Sequence, residues 1–302
     1  MIAEKPTQYT KGIICILLGT CCFAAKGILI KLAYRYGVTA SPLLMLRMLF
    51  ALPFYLAVAT WLQTQQQSVL TKKEILQIIG LGLLSYYISS IFDFIGLQYI
   101  SAGLERLILY VYPTLVLLIL AFAKQTKILA REKIALAIAY AGMFLVFAHD
   151  ITLNNSWQLT ALGSSLVLVS TITFAIFIVI AGDMIPRVGS LRFTSYGMIS
   201  ACVGVIIHNL IAEDIQSVYQ PPEVYGLALL LAVFCTVIPS FLMNEGIRII
   251  GSGKAATMGT IGPIVTLFLG ALLLNETIGL IQLAGAALVI CGVGLISTKK
   301  QK

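Results

Sequence analysis

The chain has 302 residues, of which 59% are apolar and 11% charged, with 20 basic against 12 acidic residues and a mean hydropathy of +0.98. Soluble domains carry about 25% charged residues, and a chain this poor in charge could not cover a water-facing surface. A soluble enzyme, a disordered chain and a nucleic-acid binder are therefore excluded, and the net charge of +8 reads as juxtamembrane lysine and arginine.

A transmembrane helix needs about 20 apolar residues, and breaking the chain at its polar clusters predicts ten. The first, 12–36, is longer than a signal-peptide core, carries Lys26 and Lys31, and lacks a small-residue cleavage site, so it reads as retained. The second, 43–61, carries Arg47; the third, 75–98, carries Tyr86, Tyr87 and Asp93. The fourth, 101–122, holds Glu105, Arg106, Leu109, Tyr110, Tyr112 and Pro113, and 132–148 completes a first half. The second half runs through 158–182 with Phe174, 191–212 with His208, 224–248 with Glu245 and Arg248, 254–274 with Pro263, and 278–297. Loops are short and no soluble domain fits between spans. The six cysteines all lie in apolar stretches without CxxC spacing, as small packing residues do.

Lysine and arginine set the direction. One side of the ten-span layout collects 15 of them, among them Lys72, Lys73, Lys124, Lys127, Arg131, Lys133, Lys254 and the C-terminal lysines. The other side has Arg35 alone, beside Asp150, Glu213, Asp214, Glu223 and Glu276. Both termini and the 124–133 loop are therefore expected to face the cytoplasm.

Sliding the chain against itself by 150 residues pairs 96–145 with 246–295 without a gap, giving ten identities in 50 columns. The informative matches are Gly96/Gly246, Gly103/Gly253, Gly142/Gly292 and Pro113/Pro263. Both prolines fall mid-span, where a missing N–H is expected to kink the helix. Five helices per half is an odd number, so the two halves, 1–148 and 149–302, must cross in opposite directions. Inverted repeats with interrupted helices are the architecture of secondary transporters, with the site between the halves.

The string Phe92-Asp93-Phe94-Ile95-Gly96-Leu97-Gln98-Tyr99-Ile100-Ser101-Ala102-Gly103-Leu104-Glu105-Arg106, continued to Val111-Tyr112-Pro113, resembles the third-to-fourth-helix passage of the drug/metabolite transporter superfamily in its ten-helix EamA-like branch. Arg47 in Leu46-Arg47-Met48 and Glu276 in Leu274-Asn275-Glu276 are similar to that family's second-helix arginine and ninth-helix glutamate. Two departures are Lys124-Gln125-Thr126 where the glutamate is usual, and Phe23 and Lys26 where a Trp-Gly pair is common. The resemblance implies an all-α basket of ten helices around a central cavity, lined by the first four helices of each half. It also implies a bacterial inner-membrane carrier of small metabolites.

An ionisable residue inside a span costs ~2.5–3.5 kcal/mol on insertion scales and is a functional candidate by default. Lys26 lies near mid-depth with no obvious acid at its own level, which makes it a substrate contact. Lys31, Arg47, Asp93, Glu105 and Arg106 cluster towards the outer leaflet, with a coupling or ion-pair network of Arg47 or Arg106 with Asp93 or Glu105 among them. Desolvation and neighbouring cations act in opposite senses on a carboxylate there. Glu105 is accordingly a candidate proton carrier, with Asp93 as runner-up and a permanently ionised Glu105 pinned to arginine as the alternative. Glu245 and Arg248, one turn apart, read as an inner gate. Tyr86, Tyr112 and Phe174 lie mid-span, and Glu105, Leu109 and Tyr112 share a face of their helix. The substrate-binding set is therefore Lys26, Arg47, Tyr86, Glu105, Leu109, Tyr112 and Phe174.

Gly251-Ser252-Gly253-Lys254 fails as a phosphate loop, because Arg248 and Ala255 occupy required glycine and Ser/Thr positions. No sequence motif for a metal, a cofactor or a catalytic nucleophile is found. The reading is a secondary transporter of a small polar or amphipathic metabolite, with an amino acid or related compound favoured and protons as a candidate partner ion. The alternatives are a nucleotide- or anion-type exchanger of the same fold and a membrane-embedded enzyme acting on a lipid or a small membrane-soluble substrate.

Overall fold

The computed structural model describes residues 6–65, 70–123, 128–154, 156–251, 255, 262–274 and 279–297. Among the described residues all regular structure is helical. Eight helices are long and apolar enough to cross a membrane. They are α1 (Gln8–Tyr34), α2 (Ala40–Thr64), α3 (Lys72–Gly96), α4 (Ala102–Ala123), α5 (Ala130–Thr152), α6 (Trp157–Val188), α7 (Ser190–Ala212) and α8 (Pro222–Ile250). Two shorter apolar helices follow, α9 (Gly262–Leu274) and α10 (Leu280–Leu295). Each lies on one of the expected spans. Most of 254–261, Glu276, Lys124, Lys127 and the extreme termini fall outside the described residues.

α6 runs six residues beyond its expected end, through Asp183 and Arg187. Charged side chains do not stop a helix; Gly189 does, at a φ of 87° that other residues avoid. Four helices are interrupted at mid-length. α1 breaks at Ala25, so that Lys26 opens its second segment. α3 widens into a π-helical turn at Leu83–Ile88, and α8 does so at Val233–Val237. In α8 the cause is Pro239, which has no N–H to donate and crowds the carbonyl four residues earlier. α4 opens into a turn at Tyr110–Val111. Pro113 is the second residue of the segment that resumes after that turn, Tyr112–Ala123, and Pro263 is likewise second in Gly262–Leu269. The expected kink in a continuous helix is corrected for Pro113: it sits in the first turn of a new segment, where its missing N–H costs little.

Glycines let the helices approach closely, as small residues do in membranes. A Cβ added at Gly96 would lie 2.8 Å from the Gly163 carbonyl, joining α3 to α6. One at Gly246 would lie 3.2 Å from the Gly12 carbonyl, joining α8 to α1. Between α5 and α10, Gly142 faces the Gly285 carbonyl at 2.6 Å and Gly292 faces the Ala135 carbonyl at 2.7 Å, measured from the same added atom. The numbering rises on one helix as it falls on the other, so α5 and α10 run antiparallel. α2 and α7 do too, with Met48 against Cys202 and Ser41 bonded to Asn209. The outer surface is apolar. Phe122 is 90% exposed, Leu280 84% and Ile211 81%, an arrangement that water would not tolerate over so many helices.

Candidate functional site

The breaks in α1, α3 and α4 border one cavity, whose empty volume is about 790 Å³ counted to its open mouth. α1 contributes Thr20, Phe23 and Lys26, and α2 contributes Arg47. α3 turns Ser85, Tyr86, Ser89, Ser90 and Asp93 towards it, and α4 supplies Arg106, Leu109, Tyr110 and Tyr112. Ser170 and Phe174 of α6 and Met243 of α8 close the wall. Irregular backbone at such depth is tolerated in a membrane only where it is buried in protein or faces a wet cavity.

The charges form one cluster and two separate guanidiniums. Lys26 Nζ donates to Asp93 Oδ2 at 2.6 Å and stands 3.4 Å from Glu105 Oε1. All three are buried. Lys26 therefore has acidic partners, contrary to the reading by depth. That reading compared backbone levels, whereas a long lysine side chain pairs at its tip. The same contacts correct the expected pairing of arginine with these two acids. Arg47 instead donates from Nε to Thr236 Oγ1 at 2.6 Å, and its guanidinium carbon lies 5.3 Å from the Phe94 ring centre. Arg106 donates from Nη1 to the Phe23 carbonyl at 3.4 Å and lies 6.0 Å from the Tyr110 ring centre.

Of the seven residues expected to meet substrate, Lys26, Arg47, Tyr86, Leu109, Tyr112 and Phe174 line the cavity. Glu105 does not; it stands behind Lys26. The aromatic side chains form a continuous run, with Tyr112 edge-on to Phe174 at 5.3 Å and Tyr86 edge-on to Phe177 at 5.2 Å. Asn244 Nδ2 donates to the Tyr86 hydroxyl at 3.3 Å and to Thr194 Oγ1 at 2.8 Å, tying α8 to α3 and α7. Glu245 and Arg248 are not among the residues that line this wall. Arg248 clasps Glu245 through Nε and Nη2 at 2.8 and 2.7 Å, and Ser190 Oγ at the start of α7 donates to the same carboxylate at 2.6 Å. That carboxylate fastens the end of α8 to the beginning of α7.

The sequence reading missed the small polar wall. Ser85 and Ser89 stand four apart, which places them on one helical face, and Ser89 Oγ meets Ser170 Oγ at 2.8 Å. Mid-span serines at that spacing were the available signal. Thr236, which orients Arg47, left none. Several polar atoms of the wall have no partner among the described residues: Arg47 Nη1, Arg106 Nε, Asp93 Oδ1, Ser85 Oγ and Thr20 Oγ1. Buried polar groups are ordinarily bonded, so this cluster is a place for water or a polar ligand.

A bundle of apolar helices with lipid-facing side chains, enclosing a charged cavity where its helices break, defines an integral membrane protein of the transporter class. The chain belongs to the EamA-like transporter family, whose model matches it twice, at residues 10–148 and 161–298. It is similar to the uncharacterized transporter YcbK of Bacillus subtilis (strain 168), 32% identical over 286 residues that cover 93% of this chain and 91% of that protein. The uncharacterized transporter YyaM of the same organism is 24% identical, covering 86% of this chain and 81% of its own length. An uncharacterized transporter of Archaeoglobus fulgidus is 22% identical over 76% of this chain and 79% of its own. One solved crystal structure superimposes with a TM-score of 0.67 at 13% identity, covering 97% of both chains, which is a likeness of fold. Family and relatives are transporters, not enzymes.

Proposed function

We propose that this protein is a secondary transporter that moves a small polar or amphipathic metabolite, of amino-acid or related type, by alternating access between two inverted five-helix halves, 1–148 and 149–302. The observation that carries this reading is the cavity itself: ionisable side chains meet at its wall where three helices are interrupted. Lys26, Arg47, Tyr86, Leu109, Tyr112 and Phe174 contact substrate. Glu105, with Asp93 beside Lys26, is the candidate for proton coupling. The Glu245–Arg248 clasp, which joins two helix ends, serves as the inner gate.

The duplication has support at three levels. The family model matches each half. The π-helical turns at Leu83–Ile88 and Val233–Val237 begin 150 residues apart, the same shift that aligns the sequences. Under that shift the Gly142–Gly285 contact becomes the Gly292–Ala135 contact, between helices that run antiparallel. Ten crossings, with both termini in the cytoplasm of a bacterial inner membrane, follow from this arrangement and from the charge asymmetry of the loops. Labelling of a cysteine at position 127 from outside intact cells would contradict that topology.

The function is tested in proteoliposomes. Amino acids and organic acids that raise the thermal unfolding midpoint of the purified protein are loaded inside, and uptake of the labelled compound is followed. A carrier shows uptake stimulated by the compound on the far side. Binding without such stimulation would contradict carrier function, since neither a channel nor an enzyme exchanges in that way.

A further inference from the structure

The charges around the cavity do not balance. Lys26, Arg47 and Arg106 are at its wall, against Asp93 at the wall and Glu105 behind Lys26. That is three cations to two acids among the described residues, and both acids are engaged by Lys26. Protonating either acid only enlarges the positive excess. Segment 252–261, which leads into Gly262 beside Arg106, carries Lys254 and no acid in its sequence.

The excess is localised on the two arginines. Neither has a carboxylate within 4.0 Å among the described residues, and each keeps a nitrogen with no acceptor, Nη1 of Arg47 and Nε of Arg106. Arg106 is 6% exposed and Arg47 3%. A buried uncompensated guanidinium is costly, and its planar fork matches a carboxylate through two parallel hydrogen bonds. A zwitterion would leave the site as positive as before, and a cation would make it worse. With both acids ionised, a monoanion brings it to neutrality. Next to the arginines lie Tyr110, Tyr112 and Phe174, a surface for an apolar, ring-sized body.

We infer that the cavity takes a small monoanionic carboxylate with an apolar body, and that Arg106, together with Arg47, receives the carboxylate. This rests on the transporter reading above and moves its substrate from the amino acid itself to a related carboxylate without the ammonium group. Arg106 is the cleaner anchor to test, since Arg47 also holds α2 to α8 through Thr236. Gly262 offers a variant that moves Arg106 without removing its charge. A Cβ there would lie 2.8 Å from Arg106 Nη2 and 3.0 Å from the Tyr110 ring.

Thermal unfolding of the full-length protein in detergent is followed with phenylacetate, phenylethylamine and phenylalanine, which share a ring and differ in charge. Phenylacetate is expected to bind most tightly. Arg106→Gln should weaken it roughly tenfold or more, as loss of a charge-assisted hydrogen bond does, and Gly262→Ala should weaken it in the same direction. If Arg106→Gln does not fold, Gly262→Ala decides alone. Phenylethylamine or phenylalanine binding as tightly as phenylacetate would overturn the inference while leaving carrier function standing. So would stabilisation by none of the three, or variants that bind phenylacetate as the wild type does. The failure of carrier function itself is read separately, in the exchange assay.

Discussion

α3 and α8 have the same backbone irregularity and opposite chemistry. Each opens into a π-helical turn, and the two turns begin 150 residues apart. Along α3 the residues around the turn are Ser85, Tyr86, Ser89, Ser90 and Asp93, all on the cavity. At the same shift α8 carries Cys235, Thr236, Pro239, Ser240 and Met243, and only Met243 reaches the wall. Arg47 and Glu105 likewise have Gly197 and Ala255 as counterparts. A helix interruption frees backbone groups in either half, but the charged side chains that line the cavity, Lys26, Arg47, Asp93 and Arg106, belong to the first half. The second half supports: Thr236 orients Arg47, and Asn244 holds Tyr86.

The division of labour can be broken most severely at Lys26. Lys26→Met strands two buried carboxylates, and removing one partner of a buried ion pair costs about 3–5 kcal/mol. Exchange should be abolished and thermal stability in detergent should fall. Adding Asp93→Asn should return part of the stability and none of the exchange. Full exchange by Lys26→Met would remove the first half's claim to the substrate site.

A smaller effect is expected at the supporting contact. Thr236→Val keeps the shape but takes the acceptor from Arg47 Nε, a buried charged donor, which costs about 1–3 kcal/mol. Exchange should weaken through a higher KM, because Arg47 loses its orientation. An unchanged KM with only a lower unfolding midpoint would make Thr236 a packing residue.

The counterpart glycines sharpen the comparison further. A methyl at Gly96 meets the Gly163 carbonyl, part of the backbone, and Gly96→Ala should cost about 1–3 kcal/mol, as overpacking does. At Gly246 the two nearest atoms belong to the Ile16 side chain, which has rotamers to change, and the Gly12 carbonyl is farther, at 3.2 Å. Gly246→Ala should therefore cost less than Gly96→Ala, as measured by thermal unfolding of both variants. The reverse order would mean that α1 and α8 are the more rigid pair.

The lipid-facing character and the positions of the helices were legible from composition and apolar run length, because a bilayer enforces both; the 150-residue shift was legible in three aligned glycines and a proline. The interruptions were not. Ala25 and Ser85 are ordinary helix residues, and only the π turn of α8 had a cue in the sequence, Pro239. Pro113 was visible but its effect was misassigned, since a proline reads the same in the middle of a helix and in the first turn of a new one. At the site, the rarity of charge inside a span pointed to Lys26, Arg47, Asp93, Glu105 and Arg106. Their pairing was illegible, because helix depth fixes a Cα position and not the tip of a lysine or arginine side chain.

Alternating access is tested most directly by accessibility at Ser90, which lines the cavity on α3. In a variant whose six native cysteines are replaced, Ser90→Cys is labelled with a membrane-impermeant thiol reagent from each side of the membrane, with and without a transported compound. The account predicts labelling from both sides, with the compound shifting the balance between them. Labelling from a single side under every condition, in a protein that still exchanges the compound, would contradict it.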